Sequence, residues 1–255
     1  MTPDVVVDIG NSRMKWGICR DDRVVEVVRL PLDDAAAWDA ALLKLPPPRA
    51  IDRNWAVASV NPPALHRFVA WSYNHGGTAA FEDYSQLPIR VNVDEPGMVG
   101  LDRLFGAVAA KAMVPPGSPA ITVDVGTAVT VNLIDADGVF QGGAIFPGPR
   151  LMARALHDYT AKLPLVIVGE QLPEAEMPGK NTAIAIQEGI WCAVGGGVVQ
   201  LISGFAEQCR KEPHIFVTGG AAQMLAGYEL PWVAGLEFVP PLVLEGIRIA
   251  AEALP

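Results

Sequence analysis

The most constraining feature of this sequence is a repeat. Val6-Val7-Asp8-Ile9-Gly10 and Thr122-Val123-Asp124-Val125-Gly126 share one pattern, an apolar run closed by Asp-x-Gly, at an offset of 116 residues (124 − 8). Each copy continues with a small polar residue, Asn11 or Thr127, and a second strand-like run. Each therefore reads as a β-hairpin with a tight Asp-x-Gly turn. The offset is close to half of the 255 residues. A spacing of that size points to duplication of a whole domain and predicts two domains, 1–116 and 117–255, of ordinary domain size.

The flanking patterns repeat as well. Strands are predicted over 5–9, 14–19, 23–29 and 54–60, and over 120–124, 128–135, 139–146 and 214–218. Helices are predicted from Asp33 or Asp34 to 45, from Asn61-Pro62-Pro63 towards 74, over 100–113, over 149–160, from Asn181 to 209, after Gly219-Gly220, and over 241–253. The cap residues and first-turn prolines supply the helix starts. Pro115-Pro116-Gly117-Ser118-Pro119 reads as the linker between domains, and 170–180 as a loop. Strand meanders followed by alternating helices and strands make an α/β fold. Neither a dinucleotide-binding G-x-G-x-x-G after the first strand nor a Walker P-loop is present.

Half of the residues are apolar and 18% are charged, which suits a packed core and not a disordered chain. The net charge of −9 offers no general attraction to a phosphodiester backbone, so nucleic acid is not an expected partner. Backbone amides and a divalent cation can still hold nucleotide phosphates in an acidic protein. Cys19, Cys192 and Cys209 form no C-x-x-C pair or Cys/His cluster and read as reduced thiols of a cytoplasmic protein. The N-terminus has no basic segment or cleavage site, so no signal peptide is expected. The apolar stretch 190–205 is broken by Gly195-Gly196-Gly197 and Gln200. It is expected to be too short and interrupted to cross a bilayer, so no membrane partner is expected.

Five segments carry candidate chemistry. In Asp8-Ile9-Gly10-Asn11-Ser12-Arg13-Met14-Lys15, glycine lets the backbone approach an anion, Asn11 and Ser12 add donors, and Lys15 adds charge. An Asp at the end of a buried strand needs compensation, which a Mg²⁺ ion, directly or through water, would supply. In Gly100-Leu101-Asp102-Arg103, Asp102 is a candidate proton acceptor and Arg103 a bidentate anion ligand. The same four residues also fit an ordinary helix start with a first-turn Asp. Gly142-Gly143 with Pro147-Gly148 permits close backbone approach, or simply makes a strand-to-helix junction. Pro178-Gly179-Lys180-Asn181-Thr182 leads into a helix whose N–H groups suit an anion, or just caps it. Val217-Thr218-Gly219-Gly220-Ala221 suits a nucleoside lying on the backbone.

Taken in order, these segments resemble the actin, sugar-kinase and heat-shock chaperone superfamily. Within it they are most similar to the type III pantothenate kinase family. The resemblance rests on Asp8-x-Gly10-Asn11-Ser12-x-x-Lys15, Gly100-x-Asp102-Arg103, Asp124-x-Gly126-Thr127-Ala128-x-Thr130, Gly143-x-Ile145-x-Pro147-Gly148 and Gly179-Lys180-Asn181-Thr182. It implies two ribonuclease-H-like (actin-like ATPase) domains with mixed sheets. It also implies a kinase that moves the ATP γ-phosphate to pantothenate, the first step of coenzyme A biosynthesis.

By the same resemblance, Asp8, Gly10, Asn11, Ser12, Lys15 and Thr127 would bind ATP, with Mg²⁺ at Asp8. Asp102 would be the catalytic proton acceptor. Gly100, Leu101, Asp102 and Arg103 would line the pantothenate site, joined by Thr182 from the partner subunit of a homodimer. Asp124 would hold a monovalent cation, K⁺ or NH₄⁺. The family places an Asp two residues beyond Thr130, where this chain has Asn132, and a Tyr ahead of Gly-x-Asp-Arg, where it reads Val91-Asn92-Val93. A non-catalytic accessory relative and another kinase or phosphatase of the superfamily stay open as alternatives.

Overall fold

The structure is a computed structural model that describes residues 1–169, 177–226 and 235–254. The chain forms two compact units, Met1–Met113 together with Pro241–Pro255, and Val114–Pro240.

The first unit is built on a five-stranded sheet in the order β3-β2-β1-β4-β5. Its strands are β1 (Val5–Ile9), β2 (Met14–Arg20), β3 (Arg23–Leu30), β4 (Asn54–Ser59) and β5 (Gly77–Ala80). β1 runs antiparallel to β2 and parallel to β4. Every residue of β1 is buried, Asp8 included, and its run Val5-Val6-Val7 is apolar because both faces of the sheet are covered. On one face Val5, Val7, Ile9 and Trp16 pack with α1 (Ala35–Leu42) and α2 (Pro62–Ser72). There Trp16, Trp55 and Phe68 meet edge-on, with Trp16 and Trp55 5.1 Å apart. Asp34 and Asn61 cap these helices by accepting the N–H groups of Ala37 and Ala64. The short strand β6 (Arg90–Val91) precedes α3 (Leu101–Met113).

The other face carries α3 and α6 (Leu242–Ala253). The two helices touch backbone to backbone: a Cβ on Gly246 would fall 1.9 Å from the Phe105 carbonyl oxygen. The expected boundaries put 241–253 in the second domain. Its buried residues Leu242, Leu244 and Ile247 belong to the first unit instead, because the α3 face of the sheet needs them as cover. Polar residues hold α6 down as well. Glu245 accepts the Val24 N–H at 2.6 Å and the Arg248 Nε–H at 2.8 Å, and Arg248 also donates to Glu252. Burial beside this network pushes the Cys19 thiol up to about 12, which suits an inert, reduced cysteine.

The second unit repeats the plan. β7 (Ala120–Val125), β8 (Ala128–Ile134) and β9 (Val139–Pro147) form an antiparallel meander, and β10 (His214–Thr218) and β11 (Leu236–Phe238) add in parallel on the far side of β7. The order β9-β8-β7-β10-β11 matches β3-β2-β1-β4-β5 strand for strand. The duplication read from the two Asp-x-Gly turns is therefore present in the topology. β5 and β11 are edge strands that the sequence reading missed.

α4 (Pro149–Asp158) follows the meander, and α5 (Thr182–Ala206) is one continuous helix. Ile186, Ile190, Val194, Val198 and Ile202 recur at a spacing of four along α5 and pack on Ile121, Val123, Val129 and Val131 of the sheet. The glycines expected to interrupt this stretch do not break it. By length and composition alone α5 could cross a membrane, with a mean hydropathy of 1.5 over its most apolar window. The helix expected after Gly219-Gly220 is a single 3₁₀ turn, Ala222–Leu225. Residues 170–176, most of the expected loop 170–180, lie outside the described residues.

Candidate active site

In the first unit four predicted residues gather where β1 meets α3. Asp8 lies one residue from the end of β1, is only 8% exposed, and faces Lys15 across the hairpin. Lys15 Nζ donates to Asp8 Oδ2 at 3.1 Å. The compensation that a buried carboxylate requires thus comes first from a side chain of the same turn. The Gly10 N–H bonds the Arg13 carbonyl at 3.1 Å and closes the turn, leaving Asn11 and Ser12 exposed at its tip.

Val6 and Asp8 point to the same face of β1, and Val6 meets this face beside Leu244 of α6, where Gly17 leaves room. Asp102 and Arg103 sit in the first turn of α3 on that side. The Arg103 N–H donates to Asp102 Oδ1 at 2.9 Å. Burial raises the Asp102 carboxyl above the ordinary Asp range. The Arg103 N–H opposes that, Asp8 repels a second negative charge, and the Arg103 and Lys15 charges pull the other way. Burial likewise lowers Arg103, with Asp102 opposing. Gly100 has a steric duty: a Cβ there would lie 2.6 Å from Asp102 Oδ1. Leu101 is half-buried at the helix start.

In the second unit three predicted motifs converge on one turn. Asp124 pairs with Thr130 on one side and Thr218 on the other. The Gly126 N–H bonds the Ala128 carbonyl at 3.0 Å and the Gly148 N–H bonds the Thr127 carbonyl at 2.9 Å. The Ala221 N–H bonds the Val125 carbonyl at 2.9 Å. Gly219 has φ of +104°, and a Cβ on it would sit 2.4 Å from Asp124 Oδ1 and 2.5 Å from the Val125 carbonyl. The Asp124 turn, the Pro147-Gly148 junction and the Gly219-Gly220 junction are thus stitched together, with Thr127 exposed among them. Asn132 is 2% exposed, and its Nδ2 donates to Thr122 Oγ1 at 3.1 Å and Thr130 Oγ1 at 3.5 Å. Its amide N–H₂ is therefore committed to two hydroxyls.

Thr182 is the first residue of α5 and is exposed. It belongs to the second unit, whereas Gly100 to Arg103 belong to the first. Asn181 caps α5 by accepting the Ile184 N–H at 3.0 Å. Sequence reasoning missed Glu188, which is buried in α5 and accepts the Gly179 N–H at 2.7 Å. The available signal was an acid three residues before Trp191 in an otherwise apolar helix. Among the described residues no group of three or more His, Cys, Asp or Glu side chains is arranged to hold a metal. A metal at Asp8 would therefore draw most of its ligands from water and phosphate, as Mg²⁺ commonly does.

Known proteins place the chain in a family and a fold. The family profile described as type III pantothenate kinase matches residues 5–204. A type III pantothenate kinase of Halorhodospira halophila is 34% identical over 252 residues, covering 95% of each chain. One from Persephonella marina is 30% identical, covering 94% of this chain and 95% of its own, and one from Listeria innocua is 30% identical over 87% of each. Among solved structures, an inorganic polyphosphate/ATP-glucomannokinase from Arthrobacter sp. strain KM superposes with a TM-score of 0.50 at 16% identity over 99% of both chains. The Alp12 filament structure does so with a TM-score of 0.51 at 11% identity, again over 99% of both. These two share the fold, that of the sugar kinases and actin-like filaments. The sequence relatives go further, and the chain belongs to the type III pantothenate kinase family.

Proposed function

We propose that this protein transfers the γ-phosphoryl group of ATP to the primary hydroxyl of pantothenate, giving 4′-phosphopantothenate and ADP, the first step of coenzyme A biosynthesis. The observation that carries this reading is the half-buried Asp102 carboxyl beside the Asp8–Lys15 pair. A carboxylate held above its ordinary pKa is the better proton acceptor for an alcohol that attacks phosphorus. Asp102 takes that proton as the oxygen–phosphorus bond forms and the bond to ADP breaks.

Lys15 and the Gly10-Asn11-Ser12 turn hold the phosphates, and Thr127 contacts the nucleotide from the second Asp-x-Gly turn. Phosphoryl transfer gains mainly from positioning and charge, which these groups supply. Mg²⁺ at Asp8 would offset phosphate charge. Gly100, Leu101 and Arg103 line the acceptor site, with Arg103 as the cation for the pantothenate carboxylate, and Thr182 comes from the partner subunit. Asp124 holds the monovalent cation; because Asn132 brings no charge, the negative charge of that site rests on Asp124. The protein acts as a cytoplasmic homodimer. Ala185, Gly189, Cys192, Ala193 and Gly196 make one exposed, small-residue face of α5 that suits close approach of a second copy.

The test is ATP-dependent phosphorylation of pantothenate by the purified protein, in K⁺ or NH₄⁺ against Na⁺. Turnover with a preference for K⁺ or NH₄⁺ is expected. Absence of turnover in every cation would overturn this reading and leave the two alternatives, an accessory binding role or another acceptor.

A further inference from the structure

α5 places one carboxylate where its pattern calls for an apolar residue. Glu188 lies three residues before Trp191 and seven before Gly195, both buried on the same side of the helix, and is itself 7% exposed. A buried carboxylate has to meet donors. Oε2 accepts the Gly179 N–H at 2.7 Å, and Oε1 has no hydrogen-bond partner among the described residues. Gly179 sits in the segment that leads into the helix, and the fit there is close. A Cβ on Gly179 would lie 2.8 Å from the Ala185 nitrogen, 2.9 Å from Ile184 Cγ2 and 3.0 Å from Glu188 Oε2. The Asn181 cap satisfies an N–H of the helix itself. The Glu188 bond does something different, tying the approaching loop to the flank of the helix.

We infer that Glu188 is a positioning residue for the acceptor substrate. By holding the Gly179 N–H it fixes the 178–182 segment, so that Thr182 at its end is presented in one place. This rests on the proposed role of Thr182 as a pantothenate contact. Glu188 touches no reacting atom; its effect passes through four residues of backbone. A loop ordered before binding spares the substrate the entropy of ordering it. Loss of the tether then weakens acceptor binding and leaves the chemical step alone.

The experiment compares wild type, Glu188→Ala, Glu188→Gln and Thr182→Ala in steady-state kinetics and amide hydrogen exchange. Removing one well-aligned hydrogen bond to a charged group should raise the KM for pantothenate about tenfold in Glu188→Ala. The kcat and the KM for ATP should stay as in wild type. Glu188→Gln should restore the KM, because its amide oxygen can accept the same N–H. Exchange over 177–184 should quicken in the Ala variant and not in the Gln variant. An unchanged KM for pantothenate in Glu188→Ala would overturn the inference. So would equal rises in both KM values with a lowered Tm, which is the mark of a merely structural residue. If Thr182→Ala leaves the KM unchanged while Glu188→Ala raises it, the tether stands and the Thr182 contact falls.

Discussion

Lys15 and Asp8 face each other across the first hairpin, with the ammonium 3.1 Å from the carboxylate. The Asp8 side chain is 11% exposed and that of Lys15 33%, so the pair is only partly open to water. Lys15 therefore neutralises a buried strand residue, and in the proposed reaction it has a second duty, presenting charge to phosphate. Lys15→Met should raise the KM for ATP and lower kcat, together at least about a hundredfold in kcat/KM. It should also lower stability by roughly 1–3 kcal/mol, because a buried acceptor loses its partner. Adding Asp8→Asn should recover stability and no activity. Denaturant titration and initial rates on the three variants separate the two duties.

Asp102→Asn should lose about 10²–10⁴ in kcat, the range expected of a proton acceptor. It should nonetheless be more stable than wild type at neutral pH. Burial raises the folded-state pKa of Asp102 above the ordinary value near 3.8. The folded protein then binds more protons than the unfolded chain between those two values, and stability falls as pH rises through that window. Below it the carboxyl is protonated in both states and the penalty is absent. An asparagine stays neutral and still offers an oxygen to the Arg103 N–H. The Tm advantage of the variant should therefore appear above the window and vanish at acid pH. The acid limb of the wild-type rate profile should lie above the ordinary Asp range.

Most of the duplicated fold was legible because Asp-x-Gly turns and the largely apolar strands before them are local signals. The two edge strands were not. Gly77–Ala80 and Leu236–Phe238 are short, and pairing with β4 and β10 defines them rather than their own composition. The placement of α6 was lost for the same reason: its amphipathic pattern says that it is buried, not against which sheet. At the site, Asp8 and Asp124 could be named from spacing alone. The steric duty of Gly100, the Asn132 bonds to Thr122 and Thr130, and the tether from Glu188 depend on contacts that no spacing encodes.

Gly219→Ala tests the stitching of the second turn. The residue has φ of +104°, and the added methyl would lie 2.4 Å from Asp124 Oδ1. The combined strain and displacement should cost at least about 2 kcal/mol. The KM for ATP should rise with it, because the Asp124 turn has to move. Gly220→Ala is the control, since a Cβ there meets nothing within 4 Å. Thermal melts and ATP titrations should affect the first variant alone.

Gly196→Leu tests the dimer. A Cβ at Gly196 meets no other atom within 4 Å, so the folded chain has room for the larger side chain. Replacing a mid-helix glycine also favours the helix, by up to about 1 kcal/mol. A protein with unchanged circular dichroism that sediments as a monomer is the expected result. Acceptor turnover should fall with it, because Thr182 no longer reaches the neighbouring site.

The return of α6 to the first unit makes Val114–Pro240 an insertion rather than a second half. The terminal ammonium of Met1 donates to the carbonyls of Ala251 and Leu254, so the first and last segments of the chain are laced together. During synthesis the face of the first sheet that the two helices cover has α3 but lacks α6 until the end of the chain is made, while the strands β7 to β11 are all translated before then. The body that carries Asp8 and Asp102 can complete its core only after the whole inserted unit has been translated.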